Sequence, residues 1–487
     1  VKLLKDLIYD ARIKEIQGTT NIAVEGVSID SRVIKPMSLF VAISGTQVDG
    51  HDYIKQAITN GATTIVCERF PEDFVRPESV SVVVVKNSAV ALGFIASAYY
   101  DHPTHDMKVV AVTGTNGKTT IVSLLHGLLR LLDRKTGLVG TIENRINNKV
   151  IDATHTTPDA LTLQSLFRDM VDSGCKFCFI EASSHAIVQN RLSGTTFAGA
   201  VFTNITHDHL DYHKTFDKYL EAKKQLFDSL PANAFALTNS DDPYFEDLVF
   251  DCKAEKATYG VASVADFKAR IIENQLQGLH LHLDGQDLYS GLVGGFNASN
   301  LAAVYGVSKL LGFDGIETLT QMSLLSSPPG RFELVQSPDG ITAIVDYAHT
   351  PDALDNILRT IATFRTGGER LITVVGCGGD RDVTKRPIMA RVAASGSDRV
   401  FLTSDNPRTE DPGMILVDMT TGLDPIDKRK CISITDRREA IRAAAAFAEA
   451  GDIVVVAGKG HETYQEINGV RHDFDDRKVL VDAFITA

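Results

Sequence analysis

No stretch of this 487-residue sequence approaches the ~18–20 uncharged apolar residues that a membrane span requires. The opening Val1-Lys2-Leu3-Leu4-Lys5-Asp6-Leu7 also lacks the apolar core of a signal peptide and carries an early acid, so a cytoplasmic location is expected. Basic residues are in the minority: 49 Lys and Arg face 62 Asp and Glu, a net charge of −13. A broad nucleic-acid footprint needs a basic stripe, so no nucleic-acid partner is expected. Cysteine is sparse, with six scattered residues. Cys175-x-x-Cys178 has redox- or zinc-like spacing, but it leads into the apolar run Phe177 to Ile180 and no second pair follows at zinc-ribbon distance. Simple buried cysteines in a reducing compartment are the expectation. There is no low-complexity tract and no repeat at solenoid spacing. A monomer acting on small molecules fits this composition.

What is present is ordinary globular material, 44% hydrophobic and 23% charged, long enough for about three domains. Its most informative stretch is Val109-Val110-Ala111-Val112-Thr113-Gly114-Thr115-Asn116-Gly117-Lys118-Thr119-Thr120. A β-branched run enters a glycine turn, and helical spacing of Leu124, Leu125, Leu128 and Leu129 follows over Ile121 to Leu132. Glycines let backbone N–H groups close around phosphate oxygens, and a helix N-terminus adds positive potential. Lys118 would reach the β- and γ-phosphates of ATP, and the Thr119 hydroxyl would face Mg²⁺. The spacing is the short Gly-x-x-Gly-Lys-Thr form, since Val112 stands where the general phosphate loop has its first glycine. In an acidic chain, such anions must be held by local Lys, Arg, Mg²⁺ and backbone N–H groups.

Three units are expected. Residues 1–106 mix short apolar runs (Leu39 to Ile43, Thr64 to Cys67, Val82 to Val85) with Gly- and Pro-bearing loops, a small α/β domain. Across 107–335, strands at Val109 to Thr113, Phe177 to Ala182, Gly199 to Thr203 and Ala234 to Thr238 alternate with helices such as Asp217 to Leu230, which predicts a parallel sheet. Period-two alternation over 266–293 predicts an antiparallel edge or ribbon. From 336 to 487 the alternation restarts, with strands at Thr342 to Asp346, Leu371 to Gly376, Arg399 to Thr403 and Ile453 to Ala457. This reads as a second doubly wound unit, with ligands at the strand ends.

Several clusters carry chemistry. Glu181, after the Phe177 to Ile180 strand, stands where a Mg²⁺-binding carboxylate belongs, a solvated loop acid being the alternative. The run Thr203 to His213 packs three histidines and two aspartates, which suggests metal, with zinc the rival assignment. Lys223-Lys224, read alone, is a solvated helix face. Gly330-Arg331, Asp346 to Pro351, Gly376 to Asp382, Asp405 to Arg408 and Gly458 to Glu462 join charge to glycine or proline. Each alone could be a capped turn. Four of them at strand ends of one unit argue for a site recognising a zwitterionic small molecule.

Taken together and in order along essentially the whole chain, these blocks resemble the Mur ligases, ATP-dependent amide-forming enzymes of bacterial cell-wall synthesis. The resemblance implies an α/β fold of three domains: one for a UDP-bearing substrate, a central P-loop ATPase and a Rossmann-like domain for the incoming amino acid. Gly114 to Thr120 is similar to the family's phosphate loop. Glu181 and His209 match its Mg²⁺ positions, and Lys223 matches a lysine carbamylated to N6-carboxylysine, which would make it a metal ligand as well. Asn300, Arg331, Asp346 and His349 resemble groups that close on ATP. Ile29, Ser31, Thr156, Thr157, Ser183, Gln189 and Arg191 fall where the family binds a UDP-N-acetylmuramoyl-dipeptide, with His155 where some members carry Asn. Arg386, Asp405, Asn406, Pro407, Arg408, Gly458 and Glu462 match a meso-diaminopimelate site, and Asp405 to Arg408 is the hallmark of that subfamily. The implied catalytic set is Lys118, Glu181, His209 and Lys223.

Two kinds of rival remain at this point. A sister ligase could add lysine, or glutamate to a folate; Arg408 argues against lysine, which lacks a second carboxylate. From a different class, a P-loop ATPase without ligase activity would hydrolyse ATP with no acceptor.

Overall fold

A computed structural model describes residues 1–45, 48–153, 155–206, 208 and 210–486. Three main sheets follow one another along the chain. The first has five strands in the order Ile13–Gln17, Ser81–Val85, Ala62–Cys67, Ser38–Val41, Gly26–Ser28, parallel except for the first pair. Helices Ile54–Thr59 and Ser88–Tyr99 lie beside it, so the small N-terminal α/β unit is present.

The second sheet has eleven strands, with Lys108–Thr113 near its middle between Phe177–Glu181 and Phe197–Phe202. Val109, Val110, Ala111 and Val112 are all 0% exposed, as a strand covered on both faces must be. The alternation sorts them: Val110 and Val112 join the core under helices Lys118–Leu131 and Gly295–Leu310, while Val109 and Ala111 join that under Ala160–Asp172 and Phe216–Asp228. The period-two segment forms the antiparallel ribbon Phe267–Gln275, Gly278–Leu283, Gln286–Ser290 at one edge. The opposite edge is a second antiparallel ribbon, Thr136–Val139, Glu143–Ile146, Lys149–Asp152, which sequence patterning missed. Cys178 lies within a strand and Cys175 just before one; both are buried and unpaired, as expected.

The third sheet runs Glu333–Gln336, Thr342–Asp346, Ile453–Ala457, Leu371–Cys377, Arg399–Ser404, Cys431–Ser433, all parallel except the first. Helices Pro351–Ala362, Lys385–Gly396 and Pro412–Thr420 cover one face, and Arg437–Phe447 and Asp476–Thr486 the other. A buried ion pair binds that second layer. Arg437 Nε and Nη2 donate to the two Asp476 oxygens at 2.7 and 2.6 Å, with both side chains at 0% exposure. Nη2 also reaches Ala457 O at 3.0 Å, at the end of a central strand. Removing one partner of such a pair leaves an uncompensated buried charge, whereas replacing both removes the desolvation cost as well. Asp476→Ala is therefore expected to lose about 3–5 kcal/mol in denaturant unfolding, and Arg437→Met/Asp476→Leu less than that.

Candidate active site

The phosphate loop is shaped by two close approaches. Gly114 has φ +150°, and a Cβ there would lie 1.8 Å from Thr203 Oγ1. Gly117 has φ +89°, and its Cβ would meet Asn300 Oδ1 at 2.9 Å. The loop is pinned from the next strand's end: Thr115 N–H donates to Asn204 O at 2.8 Å, Asn116 N–H to Asn204 Oδ1 at 2.9 Å, and Thr203 Oγ1 to Asn116 O at 2.6 Å. Helix Lys118–Leu131 then starts with no side-chain cap, leaving its positive end directed at the cleft.

Two lysines converge on this loop. Lys118 Nζ donates to Gly114 O and Thr115 O, both at 2.8 Å, and Lys223 Nζ donates to Gly114 O at 3.0 Å. Lys223 is only 1% exposed and lies over the Tyr219 ring at 4.4 Å. Burial drives its amine well below the usual lysine range, the Lys118 charge pushes it further down, and Asp208 opposes them. Burial lowers Lys118 too, against the pull of Glu181 and Asp208. The reading of Lys223 as a solvated face is thereby corrected: its neighbour Lys224 is the outward one, paired with Asp228 and Asp251.

Glu181 is 0% exposed and heavily bonded. It accepts from Thr119 Oγ1 at 2.9 Å, Thr141 N–H at 2.7 Å and Thr141 Oγ1 at 3.1 Å. The alternative of a solvated loop acid fails. His209 lies outside the described residues. Among the described residues no group of three or more His, Cys, Asp or Glu is gathered as a metal site.

The third sheet closes the cleft. Arg331 Nη2 donates to Thr119 Oγ1 at 3.0 Å, and its guanidinium lies 4.7 Å from the centre of the Tyr347 ring. Asp346 accepts from Phe332 N–H at 2.6 Å and Ala348 N–H at 2.7 Å; burial lifts its carboxyl to about 6, against the opposing charge of Arg331. His349 Nδ1 lies 3.0 Å from Tyr347 O. Asn300 Nδ2 donates to Asn297 Oδ1 at 2.9 Å. Asp352, which sequence reasoning missed, accepts from Asn116 Nδ2 at 3.0 Å and so ties this sheet to the phosphate loop. Its visible signal was only that of a helix start, Thr350-Pro351-Asp352. Gly114 to Thr120, Glu181, Lys223, Asn300, Arg331, Asp346 and His349 all border one cleft of about 540 Å³.

Thr156, Thr157, Ser183, Gln189 and Arg191 extend from it. Thr141 Oγ1 lies 3.1 Å from Thr156 Oγ1, Thr157 Oγ1 donates to Glu181 O at 2.7 Å, and Arg191 donates to Thr157 O at 2.8 Å and Gln189 Oε1 at 2.7 Å. Ser183 caps the helix Ser184–Val188. Ile29 and Ser31 stay apart on the first sheet, where Ser31 Oγ donates to Gln56 Oε1 at 2.9 Å.

The remaining candidates sit at adjacent strand ends of the third sheet. Asn406 Nδ2 donates to Glu462 Oε2 at 2.8 Å, Asp405 accepts from Asn406 N–H at 2.6 Å, and Gly458 N–H donates to Asp346 O at 3.0 Å. Arg408, at φ +50° after Pro407, donates from Nη1 to Gly379 O at 2.7 Å. Arg386, 1% exposed, is engaged by Glu410 and Asp418, both at 2.8 Å, partners that sequence reasoning did not anticipate.

A parallel sheet with a phosphate loop at its strand end, capped by a second doubly wound sheet, is the architecture of a nucleotide-using α/β enzyme. Three family models cover most of the chain: "Mur ligase family, catalytic domain" at 23–100, "Mur ligase middle domain" at 112–308 and "Mur ligase, glutamate ligase domain" at 330–460. The chain is 51% identical to a Cytophaga hutchinsonii protein named UDP-N-acetylmuramoyl-L-alanyl-D-glutamate–2,6-diaminopimelate ligase, over 98% of each. A Bacteroides thetaiotaomicron protein of the same name is 50% identical over 99% of this chain and all of that one. A solved structure of a ligase of that name aligns with TM-score 0.70 and 34% identity, covering 100% and 99% of the two chains. The chain belongs to the Mur ligase family, whose members are ATP-dependent ligases.

The loop geometry yields one prediction. Gly114→Ala puts a methyl group into Thr203 Oγ1, and a backbone forced out of place costs about 1–3 kcal/mol. Unfolding should show that loss, and nucleotide affinity by calorimetry should fall at least about tenfold, or 1.4 kcal/mol. Thr203→Ala in the same chain should restore part of both.

Proposed function

We propose that this chain joins an amine of meso-diaminopimelate to the free D-glutamyl carboxyl group of UDP-N-acetylmuramoyl-L-alanyl-D-glutamate, converting ATP to ADP and phosphate. The observation that carries this reading is 51% identity, from end to end, to a relative bearing that name. The work divides among three units: 1–106 for the UDP end through Ile29 and Ser31, 107–335 for ATP, and 336–487 for the amino acid. Six unpaired cysteines support a reducing, cytoplasmic setting, and among the described residues no helix is long and apolar enough to cross a membrane.

The substrate carboxylate attacks the γ-phosphate in line; its oxygen bonds phosphorus as the bond to the ADP oxygen breaks. Lys118 leaves the loop carbonyls and offsets the charge gathering on the transferred group, with the helix N-terminus behind it. The amine then attacks the acyl phosphate carbon and sheds a proton, and phosphate leaves with its bonding pair. Arg331, Asp346 and His349 exclude water that would otherwise hydrolyse the acyl phosphate.

Mg²⁺ is the proposed cofactor. Glu181 and Thr119 are hard oxygen donors fixed side by side beside the phosphate loop, and His209 would complete the set. When bound, the ion offsets repulsion between carboxylate and triphosphate. Lys223 would join them as a carbamate. Its neutral amine attacks CO₂, a C–N bond forms and a proton departs, leaving a carboxylate. Burial lowers the basicity of that amine and so favours the uncharged form that attacks CO₂.

Lys223→Ala should lower turnover by about 10²-fold or more, with partial rescue by formate or acetate. In the wild type, added bicarbonate should raise activity, and the effect should saturate at lower pH than an ordinary solvated lysine would allow. An effect that climbs only toward pH 10 would contradict that lowered basicity.

Substrate choice turns on Arg408. A guanidinium paired with the distal carboxylate of diaminopimelate has no partner when lysine binds. ADP release should require the UDP-dipeptide and an amino acid together, and kcat/KM should favour diaminopimelate over lysine by about 10²-fold, or 2.7 kcal/mol. Arg408→Ala should collapse that ratio by impairing diaminopimelate, with the KM for ATP unchanged. Steady ADP release without an acceptor would point instead to a simple ATPase.

A further inference from the structure

The mechanism above leaves one buried cation without a task. Lys459, in the loop after strand Ile453–Ala457, is 0% exposed. Its Nζ donates to Asn406 Oδ1 at 3.0 Å and to Glu462 Oε2 at 2.9 Å, and lies 5.4 Å from the centre of the Tyr464 ring. Taking an ammonium wholly out of water is costly, and an apolar side chain of similar length would fill the same space without that cost. The partners supply the reason for a lysine here. Asn406 Nδ2 donates to the same Glu462 Oε2 at 2.8 Å, which closes a ring of three hydrogen bonds among Lys459, Asn406 and Glu462. Asn406 Oδ1 accepts Glu466 N–H at 2.9 Å as well, so that oxygen faces the protein. Both bonds to Glu462 fall on Oε2, and Oε1 takes none from the described residues.

We infer that Lys459 is a positioning residue of the amino-acid site. By loading Glu462 Oε2 and holding Asn406 with its nitrogen toward Glu462, it leaves Oε1 as the acceptor for an ammonium group of the incoming diamino acid. It also balances the Glu462 charge, so that an empty site does not hold an unpaired carboxylate. This rests on the amino-acid site proposed above.

The test is steady-state kinetics on the full chain with Lys459→Met, using whichever amino acid the wild type turns over fastest. The KM for that amino acid should rise about tenfold or more, while kcat falls less than about threefold and the KM values for ATP and UDP-dipeptide stay within about twofold. Lys459→Met/Glu462→Gln should be no worse than Glu462→Gln alone, because Lys459 acts through that carboxylate. Additive losses, or a parallel rise in all three KM values, would overturn the inference. If Lys459→Met does not fold, Lys459→Gln, which keeps a donor but no charge, must show the same selective rise. A wild type that prefers another amino acid would sink the proposed substrate while leaving Lys459 testable on the preferred one.

Discussion

Glu181 has no exposed surface, yet both carboxylate oxygens are in use, and their donors come from two different elements. Thr119 belongs to the first turn of the phosphate-loop helix, and Thr141 to the turn between strands Thr136–Val139 and Glu143–Ile146. Thr157 is tied to the carbonyl of the same residue. One buried side chain thus sets the distance between the phosphate loop and the segment that presents Thr156 and Thr157. A carboxylate this deep is stable only while its hydrogen bonds and nearby cations hold, so its position tolerates little drift. Arg331 bonds the same Thr119 hydroxyl from the far side of the cleft. The second sheet supplies the anchor, and the third is fitted against it.

That fitting explains why cations crowd one place in an acidic protein. Lys118 and Lys223 share the Gly114 carbonyl, and Arg331 stands beside Thr119. Burial is the main cause of the lowered basicity of both lysines; Arg331 adds to it at Lys118, and Lys118 adds to it at Lys223. Lys118, Arg331 and the uncapped helix N-terminus together complement a polyanionic nucleotide. The chain's net charge of −13 keeps the attraction local.

Much of this was legible in the sequence, for identifiable reasons. Central strands bury both faces, so Val109 to Val112 and Ile453 to Ala457 read as continuous apolar runs. The outer ribbon at Phe267–Ser290 buries one face and keeps a period of two. The ribbon at Thr136–Asp152 escaped because its strands are only four residues long and include Asn144, Arg145 and Lys149. Burial of single polar residues was beyond reach as well. Lys223 and Lys224 are adjacent and chemically identical, yet one is sealed and the other pairs with surface acids; the helix phase that separates them is clear only once neighbouring elements are placed. Asp352 was missed because its partner Asn116 lies 236 residues away, and the bond that ties Lys459 to Asn406 spans 53 residues.

The loops of the third sheet show why the surroundings of Arg331 and of Asn406 cannot be arranged independently. Tyr347 N–H donates to Gly330 O at 3.0 Å, which places Arg331 next to the loop that begins at Asp346. The Tyr347 ring is covered on one side by the Arg331 guanidinium at 4.7 Å and meets His461 at 5.1 Å. His461 follows Gly460 in the same short loop that holds Lys459 and Glu462, while Gly458 N–H bonds Asp346 O. A single turn of backbone therefore bears on Arg331, beside Thr119, and on Asn406. Close-packed contacts of this kind transmit displacement because they leave no void to absorb it. If an amino acid binds Glu462 as proposed, a pull there would bear on the support beneath Tyr347, and with it on the cation facing Thr119. Where the acyl phosphate must meet an amine before it meets water, shared support for the two ends favours their being assembled together.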